Sequence, residues 1–286
     1  KKDNLTNIAH CELAELLDVK DFENDYLDQN KNIDQVTHIF HQGACSDTME
    51  WDAEYMMKNN YSFSQKLLEL AEKNSVSFIY ASSASVYGDG KEFAEARENE
   101  NPINLYAFSK YLFDQLIRQK INESKIQIVG LRYFNVYGPN EAHKGHMASV
   151  AYHLHTQLEK GDEVKLFEGS DGYEAGEQRR DFVYVDDVVK VNLWFKENPG
   201  VSGIFNVGTG KSQTFNEVAN SVINFHGKGS IQYIPFPKEL VGSYQSFTEA
   251  DLGKLRAAGY PDDFLDVQTG VQLYLEKLSN WPKNES

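Results

Sequence analysis

Cysteine is scarce in this chain, which has only Cys11 and Cys45 among its 286 residues. Two cysteines cannot build the disulfide framework that stabilises small secreted domains, and this scarcity is typical of proteins in a reducing compartment. Long apolar runs are missing as well, since no stretch reaches the roughly 18 residues that a membrane-spanning helix needs. The composition therefore predicts a globular protein with a cytoplasmic location.

Basic residues are also in short supply. Lysine and arginine total 28 against 43 acidic residues, so the net charge is -15 at pH 7 and the isoelectric point is near 5.0. This balance argues against a nucleic-acid or anionic membrane surface, although it leaves room for a local basic pocket that holds a phosphorylated substrate.

The spacing of His143, His146 and His153 does not match a zinc site, so no metal is predicted.

A glycine-rich turn is absent from the first part of the sequence. Nucleotide-binding α/β folds normally begin with a strand and such a turn, whereas residues 1–5 here are mostly polar. We therefore expect the first strand, its glycine-rich turn and the second strand to lie upstream of residue 1.

The sequence does contain an alternation of apolar strands and helices. Residues 36–41, 77–81 and 126–132 have the pattern of buried strands, while residues 54–73 and 106–119 have the pattern of helices. This alternation predicts an α/β fold with a Rossmann-type, doubly wound parallel sheet that carries helices on both faces.

The pattern becomes less regular after Asn135. We predict a nucleotide-binding domain made of residues 1–136 and about 182–204, and a smaller α/β substrate domain made of about 137–181 and 205–286. The elements predicted in this part are helices at 148–160, 187–195 and 213–225, short strands at 181–185 and 232–235, and a strand that ends in a turn at 203–210.

Tyr106 and Lys110 are the most informative pair of residues. They stand four apart on a predicted helix and therefore share one face. The lysine ammonium is expected to lower the pKa of the tyrosine phenol, so that the phenol can exchange protons near neutral pH. Ser83, in a serine-rich strand just upstream, could bond an alcohol or carbonyl held beside them. The spacing alone is common on ordinary exposed helices, but the serine-rich strand favours a catalytic site.

Three other features each allow two interpretations. The small residues of 43–46 follow a strand and suit close approach of a ligand, or they form a plain tight turn. Asn135 could orient a sugar hydroxyl or cap a turn. Arg179 and Arg180 could bind phosphate through their planar guanidinium groups, or they could be a surface pair neutralised by nearby aspartates.

Four motifs occur in one order along the chain and together resemble the extended short-chain dehydrogenase/reductase family of nucleotide-sugar enzymes, also called NAD-dependent epimerases/dehydratases. They are residues 82–88, 106–110, 131–139 and 180–188. Within that family the chain resembles the ADP-heptose 6-epimerases, and the segments that carry this narrower likeness are 43–46, 50–60, 143–151, 165–170, 233–237 and 255–260.

This resemblance implies a specific reaction. The carbon 6 hydroxyl of the heptose in ADP-D-glycero-D-manno-heptose would be oxidised to a transient 6-keto intermediate and reduced from the opposite face. The product would be ADP-L-glycero-D-manno-heptose, a precursor of the lipopolysaccharide inner core. Tightly bound NADP, or NAD, would carry the hydride, Tyr106 and Lys144 would be the two acid/base residues, Lys110 would hold the nicotinamide ribose, and Ser83 would hold the reacting oxygen. The family likeness also implies a homo-oligomer, specifically a pentamer.

The resemblance further implies two sets of binding residues. His146 departs from the pattern, because a small hydroxyl residue is usual at its position. The implied cofactor-binding residues are Gln42, Gly43, Ala44, Cys45, Ser46, Asn59, Tyr106, Lys110, Val136 and Lys144. The implied substrate-binding residues are Ser83, Asn135, His146, His153, Phe167, Glu168, Gly169, Ser170, Arg180 and Tyr244.

Three other functions agree less well with the same residues. Dehydratases of the family place an Asp-Glu pair after the hydroxyl residue of the serine strand, and Ala84 and Ser85 stand there instead. A UDP-sugar 4-epimerase is not expected to carry the segment 143–145. A cofactor-free binding relative would explain the absent glycine-rich turn, but it would not need Ser83, Tyr106 and Lys144 together.

Overall fold

The computed structural model describes residues 7–29, 31–237 and 245–280, which fold into two compact units. The first unit contains the described residues up to Val86 together with Asn104–Arg132 and Asn192–Phe205. The second contains Tyr87–Ile103, Tyr133–Val191 and the described residues from Asn206 onward.

Short 3₁₀ helices lie at Ala84–Tyr87, Arg97–Asn99 and Ala142–Met147, and π-helical segments at Glu23–Asp28 and Lys58–Ser62. The strands are β1 (His38–His41), β2 (Ser77–Ser83), β3 (Ile128–Tyr133), β4 (Asn135–Tyr137), β5 (Glu163–Phe167), β6 (Arg179–Arg180), β7 (Phe182–Tyr184), β8 (Gly203–Val207), β9 (Gln213–Thr214) and β10 (Ser230–Ile234). The α-helices are α1 (Val19–Phe22), α2 (Ala53–Met57), α3 (Phe63–Asn74), α4 (Leu105–Lys120), α5 (Val150–Lys160), α6 (Val185–Glu197), α7 (Phe215–His226), α8 (Gly253–Ala257) and α9 (Val267–Asn280).

The first unit is built on a sheet with strand order β1-β2-β3-β8. β1 and β2 run parallel, with His41 opposite Tyr80. Helix α4 packs on this sheet because its apolar residues recur at helical spacing, so that Phe113 and Ile117 enter the core with Phe78 and Ile128. This architecture confirms the predicted Rossmann-type parallel α/β fold.

A buried charge pair attaches α4 to the sheet. Asp114 on α4 accepts hydrogen bonds from Tyr80 Oη at 2.8 Å, Ser82 Oγ at 2.9 Å and Arg132 Nε at 2.9 Å. Arg132 Nη2 lies 2.8 Å from the same carboxylate, and both side chains are fully buried. Because removing one partner of such a pair leaves an uncompensated buried charge, this network fixes the position of α4, the helix that carries Tyr106 and Lys110.

The second unit combines three small strand pairs with helices. β4 pairs with β7 and β5 pairs with β10, both in parallel, while β6 and β9 are antiparallel. Its core is formed by apolar faces of α5, α7 and α9 around Val164 and Tyr184. Helix α7 begins with a capping box, in which Thr214 and Glu217 satisfy each other's backbone N–H groups.

Several elements differ from the sequence-based prediction. The helix predicted at 54–73 is divided by the π-helical segment Lys58–Ser62. β5 and α9 were not predicted, because β5 is short and α9 carries many polar residues. Residues Tyr87–Ile103, assigned to the nucleotide-binding domain from sequence, pack in the second unit, where Tyr87 Oη donates to Asn206 and the Phe93 ring contacts Phe134.

In the part of the chain that the structure describes, no helix is both long and apolar enough to cross a membrane.

Candidate active site

Ser83 and Tyr106 meet in the first unit, where β2 ends and α4 begins. The Asn104 side chain caps α4 by accepting from the Ala107 N–H at 2.8 Å, which places Tyr106 in the first helical turn. A hydrogen bond joins the Ser83 and Tyr106 side chains. Ser85 donates to Ser83 Oγ through its hydroxyl at 2.9 Å and its backbone N–H at 3.1 Å. The two bonds from Ser85 therefore hold the Ser83 oxygen in place, and the Ser83 hydroxyl proton remains available for a different acceptor.

Lys110 lies one helical turn beyond Tyr106 and is buried. Its Nζ donates to the Ala81 carbonyl at 2.8 Å, which ties the ammonium to β2. Burial lowers the pKa of Lys110 to about 8, and the nearby Asp114 carboxylate partly opposes this shift. The lysine is therefore close to its titration range at physiological pH, as expected for a group that relays protons.

The pKa of Tyr106 is raised in the structure, whereas the sequence led us to expect that it would be lowered. Burial raises it, and the hydrogen bond from Ser83 only partly offsets that effect. Burial dominates because a phenolate at this position would lose hydration. In this state Tyr106 is held as a phenol, ready to donate its proton.

The turn that follows β1 lies beside open space in the same unit. A side chain built at Gly43 would meet no atom within 4 Å. Gln42 Nε2 donates to Asn192 Oδ1 at 3.3 Å, whereas the Asn59 amide donates back to the Tyr55 carbonyl at 2.7 Å. The neighbouring Asn60, which the sequence analysis did not select, bonds the turn directly through Cys45. The turn therefore leaves room for a ligand to approach the backbone at Gly43.

His41, the last residue of β1, gives a pH-dependent prediction. Its Nε2 lies 2.7 Å from Ser64 Oγ, and burial lowers its pKa to about 3, with a smaller effect from the Lys110 charge. As the pH falls, His41 is therefore protonated in the unfolded chain at a higher pH than in the folded chain. The stability due to neutral His41 is complete above about pH 6.5 and is lost as the pH falls toward 3.

We expect wild-type protein to lose on the order of 2 kcal/mol more unfolding free energy than His41→Gln between about pH 6.5 and about pH 4.5. Urea denaturation across that range measures the difference. His38→Gln, on the same strand, is the control and should retain the wild-type slope. Equal slopes for wild type and His41→Gln would contradict the prediction.

The second unit contains a cleft of about 510 Å³. Five of the predicted substrate-binding residues line it together: Asn135, His146, His153, Phe167 and Arg180. Among the described residues, its other lining side chains are basic, amide-bearing or apolar and none is a carboxylate, although the whole protein carries a charge of -15. A basic, partly apolar cleft in an acidic protein is suited to an anionic ligand that has an aromatic or apolar part.

The structure does not place every predicted substrate residue on this cleft. Glu168, Gly169 and Ser170 follow β5 beside it, where the Glu168 carbonyl and Ser170 hydroxyl accept from Gln178 Nε2 at 3.0 and 3.1 Å. Gln178 and Lys165 do line the cleft, but the sequence analysis missed them as binding residues. Tyr244 lies outside the described residues.

Lys144 is exposed on the 3₁₀ helix Ala142–Met147 of the second unit. That segment is anchored at both ends by Glu141, whose carbonyl accepts from the Lys144 N–H at 2.9 Å. The Glu141 carboxylate accepts from Ser149 Oγ at 2.6 Å and from Tyr274 Oη at 2.8 Å. Val136, the other predicted cofactor contact in this unit, lies in β4 and is partly buried.

Among the described residues, no group of three or more His, Cys, Asp or Glu side chains could hold a metal ion.

A Rossmann-type parallel sheet that carries Ser83 at the end of β2 and Tyr106 and Lys110 on the following helix α4 is typical of nicotinamide-dependent enzymes. Residues 2–208 match the model of the NAD dependent epimerase/dehydratase family, and the chain belongs to that family. This result confirms the resemblance inferred from the four sequence motifs.

Known proteins of the family include relatives that cover nearly the whole chain. ADP-L-glycero-D-manno-heptose-6-epimerase of Alkalilimnicola ehrlichii is 50% identical over 98% of this chain and 89% of its own. The enzyme of the same name from Thiobacillus denitrificans is 50% identical over 97% of this chain and 88% of its own. Both names agree with the narrower resemblance found from the sequence.

Solved structures show the same fold. The Helicobacter pylori ADP-L-glycero-D-manno-heptose-6-epimerase superposes with a TM-score of 0.74 and 35% identity, covering 86% of this chain and 74% of that one. Thermus thermophilus UDP-glucose 4-epimerase, in complex with NAD, superposes with a TM-score of 0.72 and 26% identity, covering 92% and 83% of the two chains.

Proposed function

We propose that this protein interconverts ADP-D-glycero-D-manno-heptose and ADP-L-glycero-D-manno-heptose by epimerisation at carbon 6. The observation that carries the proposal is the 50% identity to two ADP-heptose 6-epimerases over almost the whole chain. The basic cleft of the second unit supports it, because a nucleoside diphosphate sugar is anionic and has a flat base. A UDP-sugar 4-epimerase shares the fold at lower identity, and the narrower likeness favours the heptose substrate.

The residues can be given roles in this reaction. A bound nicotinamide would supply reversible hydride acceptance next to carbon 6. Ser83 would hold the oxygen on that carbon and Tyr106 would exchange its proton in one half-reaction. Lys144 would exchange the proton of the same oxygen in the other half-reaction, after the 6-keto group has turned its opposite face to the cofactor. Lys110 would bind the nicotinamide ribose and restore the proton of Tyr106.

The form of the cofactor and the assembly are part of the proposal. We propose NADP, with NAD as the alternative that is tested by identifying the nucleotide released from denatured protein. We also propose a cytoplasmic homo-oligomer, specifically a pentamer, whose mass can be measured by light scattering coupled to size-exclusion chromatography.

The direct test is to incubate full-length protein with ADP-D-glycero-D-manno-heptose and no added cofactor, and to follow the two epimers by NMR or anion-exchange chromatography. Conversion to a mixture of epimers is the expected result, because a tightly held cofactor is regenerated in every turnover. If no conversion occurred, even with NADP⁺ or NAD⁺ added, the heptose proposal would be wrong. A panel of UDP-, GDP- and dTDP-sugars would then identify the substrate.

Arg180 gives a prediction for substrate binding. Its side chain is buried and lines the basic cleft, so Arg180→Ala should raise the KM for the ADP-heptose by about tenfold or more, with a smaller effect on kcat. Steady-state kinetics separates the two constants. Arg179→Ala is the control, because Arg179 donates to Ser212 instead and is absent from the cleft lining. A fall in kcat at unchanged KM would argue against a binding role for Arg180.

A further inference from the structure

Asn60 is a buried amide in the π-helical segment of the first unit, with 1% of its surface exposed. Its Oδ1 accepts from the Cys45 backbone N–H at 2.8 Å, and its Nδ2 donates to the Cys45 carbonyl at 2.9 Å. The side chain therefore pairs with the backbone of the turn after β1 through both its donor and its acceptor, as a second peptide group would in a sheet.

The same amide also reaches the catalytic helix. Asn60 Nδ2 lies 3.1 Å from Ser109 Oγ, and Ser109 Oγ donates to the Tyr106 carbonyl at 2.7 Å. Ser109 directly precedes Lys110 and is fully buried. A continuous set of hydrogen bonds thus runs from the Gln42–Ser46 turn, through Asn60, to the backbone of α4 at Tyr106.

The backbone carbonyl of Asn60 also takes part in a hydrogen bond. Ser64 Oγ donates to the Asn60 carbonyl at 2.6 Å and also bonds His41, the last residue of β1. Asn60 lies in the π-helical segment that divides the helix predicted at 54–73, next to α2 and α3. Such π-helical segments occur frequently at functional sites.

Few side chains could replace this amide. An aspartate would keep the acceptor for the Cys45 N–H, but it would set a carboxylate oxygen against the Cys45 carbonyl and lose the donor to Ser109. An apolar residue would remove the side-chain partners of the partly buried N–H and carbonyl of Cys45. The structure therefore depends on an asparagine here for reasons of hydrogen bonding and not of volume.

We propose that Asn60 is a positioning residue for the cofactor: it sets the Gln42–Ser46 turn at a fixed place relative to α4, which carries Tyr106 and Lys110. This inference rests on the proposed function, since the turn is the proposed cofactor contact. Asn60 itself touches neither the reacting carbon nor the cofactor in this assignment, and it acts through the backbone of Cys45 and through Ser109.

The test compares Asn60→Asp with wild type, because this change keeps the size of the side chain and removes its donors. The matched control is Asn74→Asp on α3, where the asparagine amide donates to the Leu70 carbonyl at 2.8 Å. Two affinities are measured for each full-length protein. The affinity for the nicotinamide cofactor is measured by retention on dialysis and by titration. The affinity for ADP is measured as well, and its proposed site is the cleft of the second unit.

We expect Asn60→Asp to weaken cofactor affinity by about tenfold or more, while ADP affinity stays within about twofold of wild type. Asn74→Asp should leave both affinities unchanged. Ser109→Ala removes the link to α4 but keeps both bonds to Cys45, so its loss of cofactor affinity should be smaller than that of Asn60→Asp. A general loss of folded protein would lower both affinities together.

The outcomes separate this inference from the proposed function. If wild-type protein bound no nicotinamide cofactor, the proposed function would fail and the inference with it. If wild type bound the cofactor and Asn60→Asp bound it equally well, only the inference would be overturned. Parallel losses of cofactor and ADP affinity in Asn60→Asp would show a role in overall stability and would also overturn it.

Discussion

Tyr106→Phe should reduce epimerase turnover by about 10²–10⁴-fold, the range expected when a positioned acid/base group is removed. The substitution deletes only the hydroxyl that bonds Ser83, so the ring and the first turn of α4 remain. The phenol is held protonated by burial, and phenylalanine has no proton to give. The measurement is the rate of epimer interconversion with saturating ADP-heptose.

Tyr111→Phe provides the control for this experiment. Tyr111 lies on the same helix, where its ring stacks on Phe108, and it has no part in the Ser83–Tyr106–Lys110 group. It should turn over at nearly the wild-type rate. Wild-type turnover by Tyr106→Phe would remove Tyr106 from the chemistry and with it the assignment of the first acid/base residue.

Lys144→Ala should have an effect of similar size, with kcat reduced by about 10²–10⁴-fold. Epimerisation reverses the face from which hydride is delivered, so a second group must exchange the proton of the substrate oxygen on the other side. Lys144 is exposed in a segment that Glu141 fixes at both ends, so an alanine there should leave the fold unchanged. Turnover and bound cofactor are measured on the same preparation.

Lys144→Arg separates proton transfer from charge. Arginine keeps a positive charge but retains its proton throughout the assay range, so it should not restore activity. Lys160→Ala, an exposed lysine in the same unit, should behave as wild type. Full activity of Lys144→Ala, or rescue by arginine, would show that the second acid/base group lies elsewhere.

The first unit shows how far local pattern carries a prediction. The strand and helix periods around β2 and α4 are strong, so both elements could be predicted, and the structure brings Ser83 at the end of β2 close to Tyr106 and Lys110 on α4. Such reasoning could not show whether Asn59 or Asn60 bonds the turn after β1. The two are adjacent, and only the π-helical backbone decides which amide turns toward Cys45.

In the second unit as well, the sequence motifs selected only some of the residues that line the cleft. Arg180, Phe167 and Asn135 were selected by their motifs, and they line one cleft. Lys165 and Gln178 line it too, yet the alternation of buried and exposed residues in β5 gives no sign that an exposed lysine faces a binding cleft. Strand pairing between β5 and β10 joins residues far apart in sequence, so it cannot be read from either strand alone.

The amino-acid sequence by itself determined the parallel α/β architecture, the family and the identity of the chemical groups, because these depend on local periodicity and on motifs of fixed spacing. Tertiary structure alone decided the direction of the Tyr106 pKa, the bonding of Asn60 to Cys45 and the basic lining of the cleft. Those properties depend on burial and on hydrogen-bond partners, which are set by every neighbour in space and not by neighbours along the chain.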